Sequence, residues 1–349
     1  MSLSKTQLVA IMALLGLVAH HCQAEGENMH NMDVEVKAPS SFEIPFKGPG
    51  QLATIWSWGP IQGERALVLT SHGESRRINV EAPDRVRWCS PTELLVEQSV
   101  RPVRNGLGTR ILRRRGEVME VLSDRDEGLG SAEPSPDGEQ VLLERYDRRG
   151  FRGIEVRSLA KDFRLEVFHP ASVKLGSGDF GSSVWSPDGS QFAVGLWVTN
   201  PPIDPTRMSP RLAIASRDTP GFTRVNDVLP SGMPDPETER WAVIPLFWNE
   251  DGIYAGSNRG LLRCDPKGSG CALAYSPGKD RSIVNGTPVG TKKALLLVQD
   301  LKLDFLEIRA KEIHEVDLTT GKGHLLLRLP ENVFINDIDW IEGVDSKSK

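Results

Sequence analysis

Beyond residue 19 the chain has no apolar run long enough to cross a bilayer, and after its first two dozen residues no sustained helical periodicity. The first absence excludes a helical anchor in the body of the protein, and the second argues against a helix bundle or an alternating α/β sheet. Cysteine is scarce, with four in 349 residues. No Cys or His cluster stands at the spacing of a zinc site. His30, His72, His169, His314 and His324 are scattered, and His314 and His324 fall across a predicted hairpin with nothing that aims them at one ion. A nucleophile elbow of the form Gly-x-Ser-x-Gly is missing. Gly176-Ser177-Gly178 and Gly181-Ser182-Ser183 read as loop residues leading into a strand. The sialidase box Ser-x-Asp-x-Gly-x-x-Trp is missing too, because Ser186-Pro187-Asp188-Gly189 places Gly directly after Asp. A net charge of −5 argues against a general nucleic-acid binder.

The first 24 residues read as a secretory signal. Lys5 supplies the positive start, Leu8 to Ala19 is an apolar run of twelve, and Cys22 and Ala24 precede a cut with small residues. Twelve residues are too few for a span. The expected organisation is a signal over 1–24, a polar leader over 25–49, a β-domain over 50–342 and a polar tail over 343–349. The product is expected to be periplasmic or secreted, with no transmembrane anchor.

What the chain does contain is a phrase that returns. Trp185-Ser186-Pro187-Asp188-Gly189 leads into Gln191–Leu196, and Ser135-Pro136-Asp137-Gly138 leads into Gln140–Glu144. Trp88-Cys89-Ser90-Pro91 and Trp248-Asn249-Glu250-Asp251-Gly252 are echoes, and a degenerate unit begins at Asn285-Gly286-Thr287. Pro sets φ at the first turn position, Asp caps the turn with its side chain, and Gly takes the positive φ. Trp88 to Pro134 is 46 residues, Pro134 to Trp185 is 51, and Trp185 to Trp248 is 63. The longest interval carries two proline-rich insertions, 200–205 and 231–236. Units of four short strands at this period specify an all-β fold, a β-propeller. Openings near 56, 88, 134, 185, 248 and 286 count six blades, with seven as the alternative. Ile338-Asp339-Trp340 reads as an orphan strand that closes the ring by pairing with the N-terminal unit. The tryptophan ahead of each turn is expected to pack between blades.

The Trp-Ser-Pro-Asp-Gly phrase followed by an apolar strand resembles the WD-repeat-like propeller repeat of the TolB family, periplasmic proteins of bacterial envelopes. The same repeat occurs in the propellers of prolyl oligopeptidase-type peptidases. The resemblance covers roughly residues 50–342 and leaves no counterpart for the α/β domain that precedes the TolB propeller. It implies an exported scaffold that presents loops to a partner in the cell envelope.

Remaining features carry smaller expectations. Cys264 and Cys271 flank Asp-Pro-Lys-Gly-Ser-Gly and are expected to close a hairpin disulfide in an oxidising compartment. Cys89 reads as a buried, inert thiol. Arg110, Arg113, Arg114, Arg115, Arg145, Arg148, Arg149 and Arg152 form a basic stretch expected to be mostly solvated or paired. Asp124–Gly128 is a fragment of a calcium-type loop without the remaining ligands. Asn285-Gly286-Thr287 is an N-glycosylation sequon, which counts only in a eukaryotic source. No catalytic, cofactor-binding or metal residue is singled out, and no cofactor is expected. The functional expectation is a non-enzymatic propeller that binds a protein or peptide partner in the envelope, with no nucleic acid. The alternative is a carbohydrate-active lyase or hydrolase whose site lies in the propeller channel.

Overall fold

The computed structural model describes residues 41–46, 48–59, 64–99, 109–123, 128–147, 150–160, 164–168, 180–200, 204–218, 222–227, 243–268, 270–301 and 308–343. The expected signal, residues 124–127 of the calcium-type fragment 124–128, the insertion at 231–236, His30 and His169 lie outside them. The described residues form a six-bladed β-propeller with no helix among them.

Each blade is a four-stranded antiparallel sheet. Blade 1 contains β1 (Gln51–Trp58), β2 (Glu64–Ser71) and β3 (Glu74–Ile78). Blade 2 is β4 (Pro83–Ser90), β5 (Glu93–Ser99), β6 (Thr109–Arg115) and β7 (Val118–Ser123). Blade 3 is β8 (Leu129–Pro134), β9 (Gln140–Asp147), β10 (Gly150–Ser158) and β11 (Arg164–Phe168). Blade 4 is β12 (Phe180–Trp185), β13 (Gln191–Asn200), β14 (Asp204–Ser216) and β15 (Phe222–Asp227). Blade 5 is β16 (Val243–Asn249), β17 (Gly252–Ser257), β18 (Gly260–Cys264) and β19 (Cys271–Tyr275). Blade 6 is β20 (Arg281–Val289), β21 (Lys293–Asp300), β22 (Glu312–Asp317) and β23 (Lys322–Arg328). The last strand, β24 (Val333–Ile341), pairs with β1, so the ends of the chain share blade 1 and close the ring. The expected six blades and terminal pairing are therefore both present. Trp56, however, sits on the second strand of its blade; the innermost strand there is β24, whose tryptophan is Trp340. The insertion at 200–205 is narrower than expected. Asn200 pairs with Asp204, so the hairpin β13–β14 is extended and only 201–203 lie between its strands.

Burial explains the sequence pattern. Middle strands are covered on both faces by neighbouring blades, so β21 reads Ala-Leu-Leu-Leu-Val without alternation and is buried from Ala294 to Gln299. Outermost strands are half-wet, and β23 is largely exposed. The core lies between blades. Val184, Ala193 and Ile214 of blade 4 meet Val243, Ile253 and Leu262 of blade 5, with Trp248 packed against them. Trp88 lies in the equivalent layer between blades 1 and 2. Trp185 Nε1 donates to the Glu133 carbonyl of the preceding blade at 2.9 Å.

The turn phrase works as a unit. Ser135 Oγ accepts from the Gln140 amide at 3.0 Å and donates to Asp137, whose Oδ1 accepts from the Glu139 amide. Ser186, Asp188, Ser190 and Gln191 repeat this arrangement. These bonds to the ionised form, the serine hydroxyl first, hold the Asp188 carboxyl down at about 2. Gly138 has φ +69°, and a Cβ there would stand 2.3 Å from the Cys89 carbonyl oxygen of blade 2. At Gly189, φ +66°, the nearest atom is Pro136 Cδ at 3.7 Å. Gly138→Ala is therefore expected to cost about 2 kcal/mol and Gly189→Ala about 1 kcal/mol. Urea midpoints of the two variants side by side measure the difference.

Cys264 and Cys271 are cross-strand partners on β18 and β19 and form a disulfide. The short loop it closes predicts a loss of about 2.5 kcal/mol for the Cys264→Ser/Cys271→Ser double variant by denaturant unfolding. Cys89 is free and buried, and burial pushes its thiol up to about 12, which leaves it inert.

Candidate channel site

The innermost strands β4, β8, β12, β16, β20 and β24 ring the channel. Each carries a register shift near the same depth. The shifts fall between Pro83 and Arg85, Gly130 and Glu133, Gly181 and Ser183, Pro245 and Phe247, Ile283 and Asn285, and at Asn336 opposite Ile55 and Trp56. A bulge bends its strand and re-aims the side chains beside it. Two of the bulged residues, Ser131 and Ser182, hold φ of +50° and +46°, a left-handed conformation that non-glycine residues seldom adopt. The Gly181–Ser183 segment, expected in a loop, is thus part of β12.

A network of buried charges lies around these bulges. Asp337 of β24 is fully buried. It accepts from the Val86 amide at 2.6 Å, from Arg87 Nη1 at 2.9 Å and from the Asn285 side-chain amide. Two residues on, Asp339 accepts from the Trp88 amide at 2.7 Å and from Thr287 Oγ1 at 3.0 Å. The Asp337-Ile338-Asp339 step therefore grips alternate residues of β4 on one side and alternate residues of β20 on the other. Arg87 completes the link to blade 3, donating from Nε to Glu133 at 2.9 Å. Four of the six blades are joined by these side chains.

The electrostatics follow from burial. Desolvation opposes the charge on Arg87, but Asp337, Glu133 and Asp339 outweigh it and raise its pKa. Burial pushes the Glu133 carboxyl up to about 7 against the pull of Arg87. Burial likewise pushes Asp339 up to about 6. Two residues ahead of Arg87 on β4, Arg85 faces the same space. Its Nη1 donates to Ser131 Oγ at 2.6 Å and its Nη2 to Ser182 Oγ at 3.5 Å, spanning blades 2, 3 and 4.

Other expected features have plainer fates. The basic stretch is largely paired where it is described: Arg113 and Arg115 both bind Glu93, Arg114 binds Glu117, and Arg145 lies 3.6 Å from Glu155. Arg148, Arg149 and the side chain of Arg152 fall outside the described atoms. The side chain of Asn285, first residue of the sequon, is buried in the channel network and bonded to Asp337. His72 occupies the tight turn between β2 and β3. His314 is buried away from His324, with Tyr275 on Nδ1 at 2.6 Å and Glu312 on Nε2 at 3.1 Å. Burial lowers its pKa, while Glu312 also holds Arg328 and Arg281. That cluster ties β19 of blade 5 to β22 and β23 of blade 6. Among the described residues no group of three or more His, Cys, Asp or Glu is placed to hold a metal ion.

Comparison with solved structures matches this architecture. The chain is similar to TolB from Acinetobacter baumannii, with 14% identity over 85% of this chain and 68% of that one, at a TM-score of 0.52. It is similar to a putative TolB from Agrobacterium tumefaciens, with 14% identity over 84% of this chain and 99% of that one, TM-score 0.51. The fold is the TolB-type propeller. A chain from a nidogen/laminin complex also superposes, at 12% identity over 84% of this chain and all of that one, TM-score 0.51. No family model and no curated protein matches the sequence. At these identities the likeness speaks for the TolB-type fold and leaves the task of the channel to its own residues.

None of Arg85, Arg87, Glu133, Asp337 or Ser131 stands out by motif. A weak signal was present in Arg85-Val86-Arg87-Trp88, where charges alternate with apolar residues on an innermost strand. Another was the Asp-x-Asp step of β24.

Proposed function

We propose that the protein is an exported TolB-type propeller that binds a protein or peptide partner at its channel. The observation that carries this reading is the commitment of the channel charges. Asp337 and Asp339 are occupied as acceptors for backbone amides and side chains of neighbouring blades. They join blades 6, 1 and 2 along the channel, where Arg85 and two hydroxyls are left partly exposed. A carbohydrate-active site would need two carboxyl groups facing one open space, whereas these carboxylates face strands. The nidogen/laminin chain, which superposes along its whole length, comes from a protein–protein complex. The disulfide between Cys264 and Cys271 supports an oxidising compartment, periplasmic or extracellular.

The test is affinity capture with the tagged full-length chain from envelope and secreted fractions, followed by reconstitution with each purified candidate. Saturable binding by a purified partner is expected. Failure of every captured protein to bind in purified form would overturn the reading. Export is checked separately by sequencing the N-terminus of the protein recovered outside the cytoplasm, which should begin at Glu25.

A further inference from the structure

We propose that Arg85, Ser131 and Ser182 form a subsite for one carboxylate, either an acidic side chain or the free C-terminus of the bound protein or peptide. The proposal rests on the binding reading above and names the chemistry of the partner. Arg85, Ser131 and Ser182 are each the third residue of an innermost strand, β4, β8 and β12. All three are partly exposed, in contrast to the buried Arg87 and Asp337 that follow. Blades 2 and 4 are not neighbours, so the reach from Arg85 to Ser182 runs across the channel.

The three groups converge as donors. Each serine oxygen accepts from the guanidinium, which leaves its own hydrogen to donate. Among the described residues neither hydroxyl hydrogen has an acceptor, and no carboxylate lies within ion-pair distance of Arg85. A cluster of donors around one cation, open to solvent and lacking an acceptor, is complementary to an anion. Both serines hold this position in left-handed backbone conformations, which cost free energy unless the surroundings enforce them. Charge selects the class of anion. One guanidinium matches one negative charge, and its planar fork fits a carboxylate, whereas a dianion such as sulfate or phosphate would keep one charge uncompensated at this single cation.

The experiment is a titration of the full-length protein, labelled with 15N-arginine, at constant ionic strength. The probes are N-acetylglycine for a C-terminus, N-acetylaspartic acid amide for a side chain, neutral N-acetylglycinamide, and sodium sulfate. The Arg85 Nε–H resonance is assigned by its disappearance in Arg85→Lys. A saturable shift with one or both carboxylates is expected, and whichever binds tighter identifies the source of the group. Ser131→Gly keeps the backbone conformation while removing the hydroxyl, and is expected to weaken binding about fivefold. Equal shifts with N-acetylglycinamide, no saturable shift with either carboxylate, or tighter binding of sulfate would each overturn the proposal. The wild-type titration needs no variant to fold. Loss of this subsite with partner capture intact rejects the carboxylate alone, whereas absence of any purified partner rejects the function above and leaves the titration result standing.

Discussion

Asp337→Ala is expected to destabilise the propeller by about 3–5 kcal/mol, the largest loss from any single side chain outside the hydrophobic core. The carboxylate is fully buried and serves three partners on two other blades: the Val86 amide, the Arg87 guanidinium and the Asn285 amide. Its removal leaves two buried donors without their acceptor and Arg87 with Glu133 as its remaining carboxylate partner, and each loss carries its own desolvation cost. Asp337→Asn should recover little, because its amide presents hydrogens where Val86 and Arg87 already donate. Asn336→Ala is the internal control. Asn336 lies beside Asp337, but its amide oxygen only accepts from Ser57 at 2.5 Å near solvent, so a loss of about 1 kcal/mol is expected. Guanidinium unfolding of the three variants measures the order. A loss for Asp337→Ala no larger than for Asn336→Ala would show that the ring closes through the β1–β24 ladder alone. A double variant, Arg87→Met with Asp337→Leu, should lose less than the sum of its parts, because the two side chains interact directly and their shared bond is counted once.

The scaffold was legible in the sequence for a physical reason. Ser-Pro-Asp-Gly encodes a turn locally, through a fixed φ, a side-chain cap and a positive φ, and it returns at the blade period. The closing strand was legible too, since Ile338-Asp339-Trp340 stood as an opening without a blade behind it. Trp56 misled because its neighbours look like a blade opening; only the pairing of β1 with both β2 and β24 shows that it lies one strand out. The channel residues were not legible because their spacing is set by blade geometry. Arg87 meets Asp337 across 250 residues, and Glu133 across 46. The bulges that aim them arise from strand pairing, to which no residue type is specific. Asn285 shows how little a local motif says: it opens a three-residue sequon, yet its place on β20 makes it a buried partner of Asp337.

The same burial predicts a response to pH that runs against the usual acid loss of stability. Glu133, pushed up to about 7, and Asp339, pushed up to about 6, bind protons in the folded protein at pH values where the unfolded chain has released them. Their contribution to stability is complete below the ordinary carboxyl range and is lost as the pH rises through 6 and 7. Groups whose pKa is lowered set the opposing limits, Asp137 and Asp317 among them. His314, lowered by burial, favours the folded state at higher pH and gives up that contribution as it is charged. Glu93, held down by Arg113 and Arg115 against its burial, and Asp188, held at about 2 by Ser186, lose their contributions only on further acidification, below the ordinary carboxyl range. Between pH 8 and about 5.5 two carboxyls thus act against one histidine. Tm is expected to rise by about 3–6 °C over that interval and to fall again below pH 4. Glu133→Gln supplies the neutral form permanently, so it should flatten most of the rise while matching the wild type near pH 5.5. His314→Gln should steepen it. A wild-type Tm that falls steadily from pH 8 to 5.5, or a Glu133→Gln profile parallel to the wild type, would show that Arg87 keeps Glu133 ionised in the closed ring and that the channel holds its charge at neutral pH.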